Sequence, residues 1–152
     1  MLAVGDAAPS FALADIATGS VMSDPWRDGQ VALAFFKVTC PVCQMAAPKV
    51  SALAASGVWV VGVGEDPPNK LAAYRDRFGQ NVPTLSEPPP YRVSDAYGVV
   101  SVPSLVLVDQ DGTIRDAVGA WDRDAWNRLA TEAGATAPIS TPADGLPAFR
   151  PG

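Results

Sequence analysis

The chain holds two cysteines, in Cys40-Pro41-Val42-Cys43, set directly after an apolar run over 31–36 and directly before a helical pattern. Pro41 suits the first position of a helix, where its missing N–H leaves no bond unmade. Cys40 then stands at the helix mouth, and Cys43 lies one turn inside on the same face. The free amides and positive dipole end of a helix stabilise a thiolate at its start, which is the condition for a reactive cysteine. A strand, a Cys-x-x-Cys and a helix in that order point to thiol–disulfide exchange.

Other uses of a cysteine pair fit less well. A structural zinc site needs four ligands, and the chain has no His and no third Cys. The missing His also argues against haem attachment and against the Cys–His dyad of cysteine hydrolases. An inert bridge is the bland alternative. Two intervening residues close so small a loop that its chain-entropy stabilisation would be slight. No Gly-rich phosphate loop or ligand cluster stands in the chain, so no metal, flavin or nucleotide cofactor is implied.

At 152 residues the chain is long enough for one domain with its own core. Eleven basic and 16 acidic residues give a net charge of −5, with no basic run. A nucleic-acid surface is therefore not expected. No apolar stretch reaches the length of a membrane span. The opening Met1-Leu-Ala-Val-Gly-Asp lacks the basic and apolar regions of a signal peptide, which read literally says cytoplasm. A chain trimmed of a leader would begin in the same way and work outside the cytoplasm.

Strands are expected over 31–38, 58–64 and 104–108, followed by 113–118. The first three are nearly continuous apolar runs, as in strands covered on both faces. Helices are expected over 44–55, 69–78 and 123–133, closed by Gly57, Gly79 and Gly134. Asp109-Gln110-Asp111-Gly112 reads as the turn of an antiparallel hairpin. This alternation predicts an α/β layered domain. Residues 11–16 and 21–22 read as a hairpin added before the core. Glu87-Pro88-Pro89-Pro90 reads as a stiff solvated spacer, and Trp26, Trp59, Trp121 and Trp126 as core or half-buried anchors. The domain is expected to occupy 1–134. The Pro-rich tail 135–152 is expected to lie over the surface or be partly disordered.

Four segments together resemble a known family. They are Gly5-Asp6-Ala7-Ala8-Pro9-Ser10-Phe11-Ala12-Leu13, then Phe35 through Cys43 with Pro48 beyond, then Val60-Val61-Gly62-Val63, and last Tyr97 through Ser104 running on to Gly112. Over roughly residues 3 to 133 the chain resembles the TlpA-like and AhpC/TSA-like branch of the thioredoxin fold. The resemblance implies a central mixed sheet flanked by helices, and a thiol–disulfide oxidoreductase. It makes Cys40 the nucleophile and Cys43 the resolving thiol, and makes the Val102–Pro103 bond cis beside Cys40. Thr39, Pro41, Val42 and Val102 would then meet the substrate, with Val102 pairing to an extended segment by strand addition. Expected partners are a disulfide-bearing protein or small thiol and a separate electron donor or acceptor. The protein is expected to act as a monomer.

The chain also departs from that family. Thr39 stands where Trp is usual before the first cysteine. Ala34 and Ala46 stand where many relatives carry an acid that accepts a proton. Lys37, Glu65 or water are the remaining candidates for moving protons or supplying charge, and Lys37 reads equally as a strand-end lysine reaching solvent. Two further readings compete. A peroxiredoxin-like thiol peroxidase would carry Thr or Ser three residues before its peroxidatic cysteine; here Lys37 precedes Cys40 and Cys40 precedes Cys43 by that interval. A non-catalytic partner-binding or redox-sensing module would keep the fold without turning over disulfides.

Overall fold

In the computed structural model, which describes all 152 residues, the chain opens with a hairpin of β1 (Ala12–Asp15) and β2 (Val21–Ser23). It continues through β3 (Val31–Phe36), α1 (Pro41–Ala55), β4 (Val60–Gly64), α2 (Pro68–Phe78) and β5 (Thr84–Ser86). A short α3 (Arg92–Ala96) leads to β6 (Ser104–Val108), β7 (Ile114–Gly119), β8 (Trp121–Asp122), α4 (Arg123–Glu132) and β9 (Phe149–Arg150).

The strand at the centre carries the logic of the sheet. Within β3, Val31, Leu33 and Phe35 face one core with Phe11, Val61, Val63, Tyr97 and Val106. Ala32 and Ala34 face the other, with Ala46, Val50 and Leu53 of α1. Small residues on that second face let α1 approach closely, and the period-two alternation assigns the faces. Every residue of β3, β4 and β6 is buried, as the continuous apolar runs require.

Seven strands form one mixed sheet in the order β2-β1-β5-β4-β3-β6-β7. β3 pairs parallel with β4 and antiparallel with β6, and β4 pairs parallel with β5. The N-terminal hairpin is more than an appendage, because β1 bonds antiparallel to β5 and extends the main sheet. The β6–β7 turn falls at Asp109–Gly112 as expected, with Gly112 at φ 86° and the Asp109 amide bonded to the Thr113 carbonyl at 2.9 Å.

Three features differ from the sequence reading. The strands β5, β8 and β9 and the helix α3 escaped it, because runs of two to five residues carry too little periodicity. Glu87 is only 1 % exposed, so the Pro-rich segment is no plain solvated spacer. Its carboxyl oxygens accept from the Ser94 amide at 2.8 Å and the Ser94 hydroxyl at 2.6 Å, which satisfies a buried polar group.

The third difference concerns 135–152, which lies over the surface but is ordered by specific bonds. Ala135 and Ile139 join the core beside Trp126 and Leu129. Trp121 donates from Nε1 to the Pro147 carbonyl at 2.8 Å, and Arg123 donates to the Ser140 hydroxyl at 3.1 Å and the Leu146 carbonyl at 2.6 Å. Asp144 binds Lys49 of α1 at 2.9 Å and Arg123 at 3.4 Å. Composition suggested a loose end; the buried indole and guanidinium groups need acceptors, and the tail supplies them.

Leu53 is fully buried on the core face of α1. Leu53→Ala should lower unfolding free energy by about 2–5 kcal/mol, read as a lower urea midpoint at unchanged slope.

Candidate active site

The chain between β3 and α1 turns at Lys37–Thr39 and delivers Cys40 as the N-cap of α1. Two bonds hold that turn. The Val38 amide donates to Asp66 Oδ2 at 2.9 Å, and Gln44 Nε2 donates to the Val38 carbonyl at 2.8 Å. Pro41 takes the first helical position, where a residue without an N–H is tolerated. Cys40 Sγ accepts from the Cys43 amide at 3.1 Å, the bond a capping Ser or Asp oxygen would otherwise make. The same sulfur donates its thiol to the Val102 carbonyl at 3.4 Å.

The Val102–Pro103 peptide bond is cis. It reaches Cys40 because β6 pairs with β3 in the register Phe35↔Ser104, so the loop before β6 sits at the end of β3 from which Cys40 emerges. The helix N-terminus, the thiol and the Val102 carbonyl thus converge from segments 62 residues apart.

The two thiols differ in setting. Cys40 is half-buried, whereas Cys43 is 1 % exposed and packs with Phe36, Ala47, Leu71 and Tyr74. Burial pushes the Cys43 thiol well above its ordinary value, and the neighbouring Cys40 adds to the rise by hydrogen bonding and charge. No carboxylate faces Cys43 from positions 34 or 46, since both are alanines sealed in the core.

Not every expected site residue reaches the thiols. Thr39 and Pro41 are both exposed and flank Cys40 on either side in the chain, so both border the opening at its sulfur. Val42 does not: at 6 % exposure its side chain sits in the core with Ala46 and Val50, because the second helical position turns inward. Lys37 is exposed, and its contribution here is a backbone carbonyl that accepts from the Cys40 amide at 3.1 Å. Glu65 lines a cavity of about 420 Å³ with Asp66, Ser86, Glu87 and Tyr91, which contains neither cysteine. Burial raises its carboxyl above the usual range, and the charge of Glu87 adds to that.

Three supporting residues were not singled out from the sequence. Asp66 and Gln44 pin the turn, and Tyr74 backs Cys43 with a hydroxyl that is buried without a hydrogen-bond partner. The Leu71, Tyr74 and Phe78 spacing marks an inward face of α2, but only tertiary packing brings that face to Cys43. Nowhere in the fold do three metal-ligating side chains converge.

Sheet order, helix-mouth cysteine pair and cis-proline loop define a thioredoxin-fold protein with a dithiol site. The chain belongs to the AhpC/TSA family, which it matches over residues 4–117. It is 29% identical over 123 residues to the thiol-disulfide oxidoreductase ResA of Geobacillus thermodenitrificans, covering 77% of this chain and 70% of that one. A Mycobacterium tuberculosis protein named "Putative peroxiredoxin" is 31% identical over 129 residues, with 74% and 82% covered. Among solved structures, the thioredoxin domain of a Bacteroides vulgatus thiol-disulfide oxidoreductase superposes with a TM-score of 0.73 at 20% identity, over 88% of this chain and all of that one.

The difference in exposure should appear in alkylation. Iodoacetamide near neutral pH should label Cys40 alone in the folded reduced protein, and Cys43 only after unfolding, as peptide mapping would show. Labelling of both at similar rates would contradict the burial of Cys43.

Proposed function

We propose that the protein is a thiol–disulfide oxidoreductase in which Cys40 attacks and Cys43 resolves. The observation that carries this reading is the Cys40 sulfur, capped by the Cys43 amide and set against the Val102 carbonyl. The Cys40 thiolate attacks one sulfur of a substrate disulfide; the new S–S bond forms as the other substrate thiolate leaves. Cys43, once deprotonated, attacks Cys40 Sγ, giving the Cys40–Cys43 disulfide and releasing the second substrate thiolate. The two protons lost by the cysteines go to the two thiolates released. The substrate gains two electrons and the pair loses them, so a separate dithiol reductant, itself oxidised to a disulfide, resets the protein.

The geometry favours an extended segment flanking the substrate disulfide. Its backbone can pair with the edge at Val102 while Thr39 and Pro41 border the sulfur. A single chain contains every group the two steps require, so we assign a monomer as the working unit. No helix is long and apolar enough to cross a membrane.

The thiol peroxidase reading has one relative named for that activity behind it. It is the weaker reading here. The residue three before Cys40 is Lys37, and the residue three before Cys43 is Cys40 itself, so no hydroxyl stands where a peroxide would be held. Peroxide consumption by Cys43→Ser protein at the rate of the unaltered chain would reverse this ranking.

Two measurements test the role of each thiol. Cys43→Ser should accumulate a mixed disulfide with substrate, visible by intact mass, whereas Cys40→Ser should reduce insulin no faster than buffer. Continued turnover by Cys40→Ser would overturn the assignment.

The second measurement follows pH. The folded environment raises the Cys43 thiol above the ordinary value, so neutral solution holds only a small thiolate fraction. Release of the mixed disulfide should quicken by about tenfold per pH unit from about pH 7 to about pH 9, without a plateau at the free-thiol value of about 8.5. A fast, pH-independent resolving step in stopped-flow traces would show that a nearby group already takes the proton.

A further inference from the structure

The segment that follows α4 returns to the active site. Gly152 lies against the backbone of Val102: a methyl group placed on Gly152 would run into the Val102 carbonyl oxygen and stand 2.9 Å from its carbon and 3.0 Å from its nitrogen. That carbonyl is the one that accepts the Cys40 thiol at 3.4 Å. Any substrate strand that pairs with Val102 needs the same atoms.

We propose that residues 149–152 form a strap that determines which disulfides reach Cys40: small disulfides enter beside it, and an extended protein segment must displace it. The inference rests on the oxidoreductase reading, and it concerns residues beyond the family match, which ends at 117.

The strap has a fixed root and a weakly held tip. At the root, Asp144 is bound to Lys49 of α1 at 2.9 Å, Arg123 donates to the Leu146 carbonyl at 2.6 Å, and Trp121 donates to the Pro147 carbonyl at 2.8 Å. Hydrogen bonds from the Ser140 hydroxyl and from Lys49 hold the Asp144 carboxyl below the usual carboxylate range. The two-residue pairing of β9 with β8, Trp121↔Arg150 and Asp122↔Phe149, then aims the chain at Val102.

Beyond that pairing the hold is slight. Residues 147–152 are all exposed, and Gly152 makes no hydrogen bond to Val102. Contacts of this kind open locally at low cost while the root stays closed. The tip therefore competes with a protein substrate for Val102 without closing off Cys40, which keeps intermediate exposure. A residue with no side chain is what permits the close approach at 152, so a larger side chain there lifts the tip and leaves the root bonds intact.

The test compares the full chain with its Gly152→Val variant, using insulin as the protein disulfide and hydroxyethyl disulfide as the small one. If the closed strap leaves the edge free about a tenth of the time, the variant's KM for insulin should fall by about tenfold with kcat unchanged. Its rate with hydroxyethyl disulfide should match the parent. Equal insulin KM values in the two proteins, or a parallel change with both substrates, would overturn the strap.

Labelling of Cys40 supplies an arm that does not depend on turnover. A polyethylene-glycol maleimide should label the variant faster than the parent, while iodoacetamide labels both alike; equal rates with the bulky reagent would also overturn the strap. Failure of both proteins to reduce either disulfide would instead count against the oxidoreductase reading, and the labelling comparison would still decide the strap.

Discussion

The bond from the Cys43 amide to Cys40 Sγ, 3.1 Å long, is the contact on which the rest of the site depends. It makes one sulfur do the work of an N-cap, so the position of Cys40 Sγ and the start of α1 are set together. The consequence is geometric. A helix begun at Pro41 places Cys43 one turn in, facing the core, and leaves Cys40 at the boundary with solvent. The turn leading to it is held from both sides by Asp66 and Gln44. Neither bond touches the reacting atoms, yet both restrict where the sulfur can sit.

The contrast between the two thiols comes from packing. Alanines at 32, 34, 46 and 47 let α1 settle onto β3, which closes the space around Cys43. Closing that space removes solvent from Cys43 and penalises its charged form. The same alanines leave no carboxylate to take its proton. Tight packing and a Cys43 thiol given no carboxylate from these positions are thus two results of one choice of residue. Tyr74, whose hydroxyl is buried and unpartnered, is the polar group the fold places in that cluster with Cys43.

The 135–152 segment shows how buried polar groups recruit chain that composition would leave loose. The Trp121 ring packs edge-on against Trp126 with centroids 4.8 Å apart, and each indole N–H must find an acceptor. Trp126 finds the Ala120 carbonyl within its own neighbourhood, whereas Trp121 takes Pro147 from the tail. Arg123, 9 % exposed, likewise takes Ser140, Asp144 and Leu146. Those acceptors order a segment whose own apolar content is too low to order itself.

Residue pattern alone was enough to place the central strands, the three longer helices and a cysteine pair at a helix mouth. Each of those rests on local physics: continuous apolar runs for strands buried on both faces, 3.6-residue spacing for helices, and a proline at the first helical position beside a cysteine. The convergence of Val102 on Cys40 lay outside local pattern, because it requires the antiparallel register Phe35↔Ser104 between strands distant in the chain. The inward turn of Val42, the placement of Glu65 in a separate cavity and the burial of Glu87 were likewise decided by packing. So was the path of the tail, whose Gly152 meets Val102 only because β8, α4 and α1 together bind the residues before it. Local periodicity assigns an element and its faces; which face meets which distant residue is settled only when the sheet closes and every buried polar group has found its partner.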